Sequence, residues 1–344
     1  MWRWDGTSWT QVDGGALGVQ NYAVESIAVF KDRLHVGTYC TATGGQVWSS
    51  ADGTSWTRVD AGLGPNNGSV ASMAAYKDCL YVGTWNSAGS GCAVWGSGET
   101  GGPPYTDWQQ MNAGGFGDTN NNTAESMAVH GGYLYVGTAN NAGCQVWRTA
   151  ADVPAPSDWG QAGAAAFGDA NNHAVSSLRS WGGALYAGTR NAVTGCELWS
   201  WDGSAWSQEG ADGFGDASNY EVSAMAEYFG GLFVGTTNED SGCQVWNAGS
   251  VWYLAEGATD GGFETWVLVQ NPGAAPAHVD FTLNTDAGEV KPPELQGVEI
   301  PAGSRRSFNL GNYVTSYNVS TKVESSDGLV ICERAMYWTP PGQG

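Results

Sequence analysis

The sequence predicts an all-β protein, a five-bladed β-propeller at residues 1–249 followed by an immunoglobulin-like β-sandwich at 250–344. Three observations predict it. One phrase, clearest as YLYVGTANNAGCQVW at Tyr133–Trp147, returns five times, with its glycines Gly37, Gly83, Gly137, Gly188 and Gly235 spaced 46, 54, 51 and 47 residues apart. A period in that range marks one supersecondary unit repeated along the chain. The composition is rich in Gly (52) and Trp (18) and only 14% charged, as expected of short strands joined by tight turns. After Gly249 the phrase stops, and about seven short alternating runs punctuated by Pro and Gly take its place.

Each repeat reads as four strands. In the third, Ala124–His130 carries small residues and suits an innermost strand crowded near an axis. Gly131-Gly132 turns the chain, and Tyr133–Thr138 alternates Tyr against Leu and Val as a second strand. Cys144–Arg148 is the third strand, and a fourth lies near Trp159. Elsewhere the last connection is an Asp-Gly turn at Asp5-Gly6, Asp52-Gly53 and Asp202-Gly203, where both residues are expected at positive φ. Four antiparallel strands in 40–50 residues make a propeller blade, and five copies make five blades. The outer-strand tryptophans Trp9, Trp56, Trp108, Trp159 and Trp206 show that the chain starts in mid-blade. Ser8–Val12 is then expected to complete the last blade, beside either Met1–Trp4 or Cys243–Asn247, which compete for the third-strand place. A short linker is expected near Asn247–Ser250, then strands at Thr265–Gln270, His278–Asn284, Val298–Pro301, Arg306–Leu310, Ser320–Glu324 and Leu329–Trp338, the pattern of a sandwich.

The blade pattern is similar in architecture to five-bladed lectins of the tachylectin type. Its Asp-Gly turns resemble a shortened Asp-box of sialidase-like propellers, a structural turn that implies no sialidase activity. The phrase GFGDANN…LYVGT…GCQVW resembles an uncharacterised repeat family of bacterial secreted proteins and brings no known activity. The C-terminal stretch resembles a module of bacterial cell-surface proteins, through Trp252–Gly257 (WYLAEG), Val269–Pro272 (VQNP), Pro301–Arg305 (PAGSR), Val319–Val323 (VSTKV) and Glu333–Trp338 (ERAMYW). That resemblance implies an extracellular or cell-surface setting. The opening MWRWDGTSWT lacks the apolar core of a signal peptide, so either the chain is cytoplasmic or Met1 is not the natural start.

Charge and hydropathy exclude other classes. The formal net charge is −21, which repels a phosphate backbone, so no nucleic-acid partner is expected. No run of 18 apolar residues is present, so no membrane insertion is expected.

The candidate ligand-binding residues lie in two loop sets that share a face. Loops entering the first strands align one Asn per blade, Asn21, Asn67, Asn121, Asn172 and Asn219, and add Asp118, Asp169 and Asp216. Loops between second and third strands add Asn86, Asn140, Asn191 and Asn238. These oxygens suit a sugar or Ca²⁺, the one cofactor they imply. They equally suit the backbone groups of tight turns, and recurrence in every blade favours the turn. Cys92, Cys144, Cys196 and Cys243 occupy one repeated position, too far apart for disulfides, and read as small buried hydrophobes. No nucleophile–base pair stands out, and His35, His130, His173 and His278 show no metal spacing. Glycoside hydrolysis, which needs two carboxylates, is a third reading. The sequence therefore points to a non-enzymatic extracellular structural or adhesive protein that self-associates, with a head-to-tail filament or surface-layer subunit as the expected form. The alternative is a lectin-like propeller binding cell-surface glycans.

Overall fold

A computed structural model describes residues 1–339 apart from 13, 14, 16, 61, 87, 98–104 and 106. The chain is all-β, a five-bladed propeller followed by a sandwich, and divides into two compact units: Met1–Ala224 with Thr236–Gln244, and Met225–Gly235 with Val245–Gly344. The inner strands are Ala23–Phe30, Asn67–Tyr76, Thr123–His130, Ala174–Trp181 and Glu221–Tyr228. The second strands are Arg33–Tyr39, Cys79–Asn86, Tyr133–Ala139, Ala184–Arg190 and Gly231–Thr237. In the third blade His130 faces Tyr133 across the Gly131-Gly132 turn, Leu134 faces Thr149, and Trp147 faces Gln161, giving the expected antiparallel meander.

The repeated residues account for how blades pack. The glycines of the first four GT pairs, Gly37, Gly83, Gly137 and Gly188, lie where the next blade's inner strand approaches. A Cβ on Gly137 would sit 2.6 Å from the Cβ of Val175, and one on Gly188 2.4 Å from the Cβ of Val222. Inner-strand serines reach forward to carbonyls of the next blade: Ser26 Oγ donates to Val70 O at 2.7 Å, Ser72 to Ala124 at 2.6 Å and Ser126 to Val175 at 2.7 Å. Outer tryptophans reach backward. The indole N–H of Trp56, Trp108, Trp159 and Trp206 donates to the carbonyl of Val12, Val59, Met111 and Ala162, at 2.8–3.2 Å.

The GFGD loops form short 3₁₀ turns in which Phe116, Phe167 and Phe214 hold φ of 59°, 54° and 55°. That left-handed region is costly for a bulky residue. Ring contacts offset it: Phe116 stacks on Trp147 (5.0 Å, 7°) and meets the edge of Trp159 (5.2 Å, 71°), and Phe167 does the same with Trp199 and Trp206.

The Asp-Gly turns differ from expectation. Gly6, Gly53 and Gly203 have positive φ, but Asp5, Asp52 and Asp202 do not. Each Asp instead accepts backbone N–H groups two and three residues on, as Asp52 does from Thr54 (2.8 Å) and Ser55 (2.7 Å). Those bonds hold the three carboxyls below the ordinary carboxylate range.

Trp9–Gln11 pairs with Trp2–Trp4 as a two-stranded sheet, with Trp4 opposite Trp9. Val245–Leu254 fills the third-strand place beside Gly231–Thr237, with Val234 opposite Trp246 and Gly235 opposite Val245. The residues expected as a linker, Asn247–Ser250, lie inside that strand, whose second half pairs with Val319–Ser325 of the sandwich. The strand runs on through a bulge, with Asn247 opposite Phe233, Ser250 opposite Gly231 and Gly249 at φ of 96°, and Ser250 Oγ and the backbone of Val251 find partners within the same unit.

The sandwich strands fall where the alternation places them, at Phe263–Gln270, Ala277–Thr285, Val298–Ile300, Arg305–Asn309, Val319–Ser325 and Ile331–Trp338. Their inward residues, including Val267, Phe281, Leu283, Ile300, Leu310 and Val323, form one core. The two ends of the surface-module signature meet: the Arg334 guanidinium donates to the carbonyls of Ala255 and Glu256, and the Trp252 indole to Val330 O at 2.6 Å.

Candidate functional site: the mouth of the propeller channel

The aligned asparagines are structural hubs. Asn121 is fully buried. Its Nδ2 donates to Gly115 O (2.8 Å) and Gln145 Oε1 (2.8 Å), and its Oδ1 accepts from Thr138 Oγ1 (3.1 Å) and Asn140 Nδ2 (2.9 Å). Gln145 Oε1 also accepts from the Trp147 indole at 2.9 Å. Asn219 repeats this with Gly213, Gln244, Thr236 and Asn238. Asn172 bonds Ala166 O, Glu197 and Asn191. Asn21 bonds Leu17 O, Gln46 and Thr38, and Asn67 bonds Leu63 O and Thr84.

The second loop set joins the first, as its shared face required. Asn140, Asn191 and Asn238 donate to Asp118, Asp169 and Asp216 at 3.0–3.2 Å, while their Oδ1 atoms accept loop N–H groups. Asp118 Oδ1 accepts from the N and Nδ2 of Asn120, and Asp169 from those of Asn171. The nine candidate residues are thus brought together blade by blade into three separate networks whose amide groups bond within their own loops. Among the described residues no cluster of three His, Cys, Asp or Glu is placed to hold a metal ion.

Cys92, Cys144 and Cys196 are buried, and burial pushes their thiols up to about 12. Cys243, the fourth repeat of the position, is exposed, contrary to the reading of all four as buried.

Two blades depart from the hub glutamine, one with Ala93 and one with a carboxylate. Glu197 stands where three other blades carry Gln46, Gln145 and Gln244. It is 4% exposed and accepts from Asn172 and the Trp199 indole, each at 2.7 Å. Burial pushes its carboxyl above the ordinary value, ahead of those bonds. Ionised Glu197 therefore costs stability at neutral pH, and the cost disappears as pH falls through its raised value towards 4.5. Glu197→Gln keeps an acceptor for both donors and removes the buried charge. It should raise stability by about 1 kcal/mol at neutral pH, shrinking in mild acid; denaturant melts of the two proteins at neutral and acid pH check it.

With the repeated residues committed to packing, the positions that vary between blades locate the site. Each of the first four inner strands carries a β-bulge at the same place, between Val24 and Ser26, Val70 and Ser72, Ala124 and Ser126, and Val175 and Ser177. The bulged residues, Glu25, Ala71, Glu125 and Ser176, all line a central cavity of about 470 Å³. Glu221 and Ser223 of the fifth inner strand line it too, with Ser69 and Thr123. A bulge re-aims a side chain out of the ladder, here towards the axis. Tyr39 and Trp85, at the ends of second strands, complete the mouth on the loop-rich face. The equivalent places in the other blades are Ala139, Arg190 and Thr237.

The mouth has two characters. Tyr22, Tyr39 and Trp85 form an aromatic row, with centroids 6.0 and 6.1 Å apart. Opposite in kind are Glu25, Glu125 and Glu221 with Arg190, whose Nη2 lies 3.0 Å from Glu125 Oε1 and whose Nε lies 3.3 Å from Glu221 Oε1. Burial pushes the Glu125 carboxyl up; Arg190 opposes this, while Glu221 and Glu25 add to it. The sequence pattern does not single out these glutamates, and at Glu25 and Glu125 the bulges hide that they face the axis.

No curated protein matches the chain. Solved structures similar to it include the SapL1 lectin in complex with alpha methyl fucoside (14% identity, 67% of this chain and 79% of that one, TM-score 0.44). An alpha-L-arabinofuranosidase from Clostridium thermocellum is similar at 13% identity (68% and 91%, TM-score 0.40), and the Bacteroides ovatus protein Xyloglucan PUL GH43B at 9% (93% and 98%, TM-score 0.39). Residues 243–332 match a family of unknown function, DUF5719.

Proposed function

We propose that this chain is a non-enzymatic, lectin-like adhesive protein that holds a carbohydrate at the channel mouth. The observation that carries this is the pair Tyr39 and Trp85, extended by Tyr22 beside Tyr39; the pair lines, with Glu25, Glu125 and Glu221, a cavity built from residues of all five inner strands, Arg190 bridging the last two glutamates. Flat aromatic faces take the apolar face of a sugar ring, and the carboxylates and serine and threonine hydroxyls answer its hydroxyl groups. A glycosidase needs an acid and a base on either side of the bond it cleaves. Here one guanidinium holds both Glu125 and Glu221, which favours binding over hydrolysis. The setting fits an extracellular or cell-surface protein. The three Asp–Asn loop networks remain a second, weaker set of sugar positions.

Thermal melts with a panel of oligosaccharides, followed by a glycan array, test the reading. A ligand should raise the melting temperature, and Tyr39→Ala should abolish the rise. Release of reducing sugar would overturn the non-enzymatic part, and ligand binding undisturbed by Tyr39→Ala would overturn the site. One observation favours the other reading, a self-associating structural subunit: Trp2, Trp4 and Trp9 are 61%, 50% and 64% exposed on their two-stranded sheet. Sedimentation that stays monomeric at high concentration and moderate salt would exclude a filament built by strand addition.

A further inference from the structure

Resting on the channel mouth as the binding site, we infer that its ligand is a cationic saccharide, one whose sugar rings carry free amines, rather than a neutral or acidic glycan. The charges at the mouth are unbalanced, with three carboxylates and one guanidinium. Arg190 already faces Glu125 and Glu221, so an acidic sugar would have to displace a carboxylate to reach it. The Glu25 carboxylate makes no hydrogen bond or ion pair with any described side chain, although it lines the same cavity. The counterparts of Glu25 in three of the other four blades, Ala71, Ser176 and Ser223, are uncharged and the fourth is Glu125, so the scaffold does not need a carboxylate there.

The aromatic row strengthens the inference. A ring face presents negative potential, and a cation held between such a face and a carboxylate is attracted by both. Tyr39 and Trp85 line the cavity together with Glu25, their centroids 6.1 Å apart and their planes inclined by 49°. The raised Glu125 carboxyl, pushed up by burial and by its two acidic neighbours, shows a cluster short of positive charge. An ammonium group entering it relieves that repulsion. Beyond the mouth, a net charge of −21 draws cations towards the protein and repels polyanions.

The experiment uses the full chain and three tetrasaccharides: β-1,4-linked glucosamine, the same oligomer fully N-acetylated, and a β-1,4-glucan. The first two share a backbone and differ in charge. Binding is read by titration calorimetry in mild acid, where the sugar amines are protonated. The glucosamine oligomer should bind about tenfold more tightly than either uncharged one. That preference should fall in high salt and vanish in Glu25→Gln, an exposed and unbonded position whose change leaves the fold intact. Equal binding of charged and N-acetylated oligomers, lost in Tyr39→Ala, would overturn the cationic ligand and leave the carbohydrate site standing. No binding of any oligomer would overturn the cationic ligand, and a blank glycan array with it would overturn the site as well. A preference that survives Glu25→Gln would also overturn the inference, by placing the charge recognition elsewhere.

Discussion

Gly137→Ala should lose about 3 kcal/mol of stability, read as a fall in denaturant midpoint with no change in slope. The added methyl would lie 2.6 Å from Ser126 Oγ, 2.6 Å from Val175 Cβ and 2.7 Å from Val175 Cγ1. A serine hydroxyl can rotate away. The Val175 Cβ cannot, because it is fixed to the inner strand of the next blade. The two blades must separate, which breaks the Ser126–Val175 hydrogen bond as well. Val175→Ala should therefore fail to rescue the variant, since alanine keeps the offending Cβ. A midpoint unchanged by Gly137→Ala would disprove the account of why GT recurs in every blade.

Asn121→Ala is the other large effect. Read from the sequence, the residue offers one turn contact, about 1 kcal/mol. In the structure it makes four side-chain hydrogen bonds in a fully buried place, and its removal leaves Gly115 O, Gln145, Thr138 and Asn140 each short of a partner. Unsatisfied buried groups cost about 1–3 kcal/mol each, partly recovered by relaxation, so a loss of about 3 kcal/mol is expected. Thermal melts check it, and Asn121→Asp separates the two halves of the hub. Asp keeps acceptors for Thr138 and Asn140 but no longer donates to Gly115 O and Gln145. If Asn121→Ala melts like the parent and instead loses a ligand, the hub assignment is wrong.

These two residues show what the sequence could and could not express. Blade number, strand order and the sandwich strands were legible, because period-2 alternation and Gly-rich turns report directly on pleat and connection. The Asp-Gly turns were located but misread: the Asp side chain caps the turn, and only the glycine takes positive φ. The linker was misplaced because a polar, Gly-containing stretch, NAGS, looks like a break, whereas Asn247 pairs with Phe233 and Ser250 with Gly231 and Ser325 in the ladder. The glutamates of the mouth were hidden for a different reason. Alternation assigns residues to faces by counting in twos, and each inner-strand bulge adds one residue to the count. Glu25 and Glu125 sit at that extra residue, so their direction follows from the pairing register and not from the pattern.

The tryptophan contacts between blades carry a direction in time as well as in space. Every indole donor lies later in the chain than its acceptor: Trp56 after Val12, Trp108 after Val59, Trp159 after Met111 and Trp206 after Ala162. A chain emerging from the ribosome thus makes each acceptor before the donor that seeks it, and domains made first generally fold first. Each new blade can dock on its finished predecessor through its last strand, with no indole waiting for a carbonyl still to be synthesised.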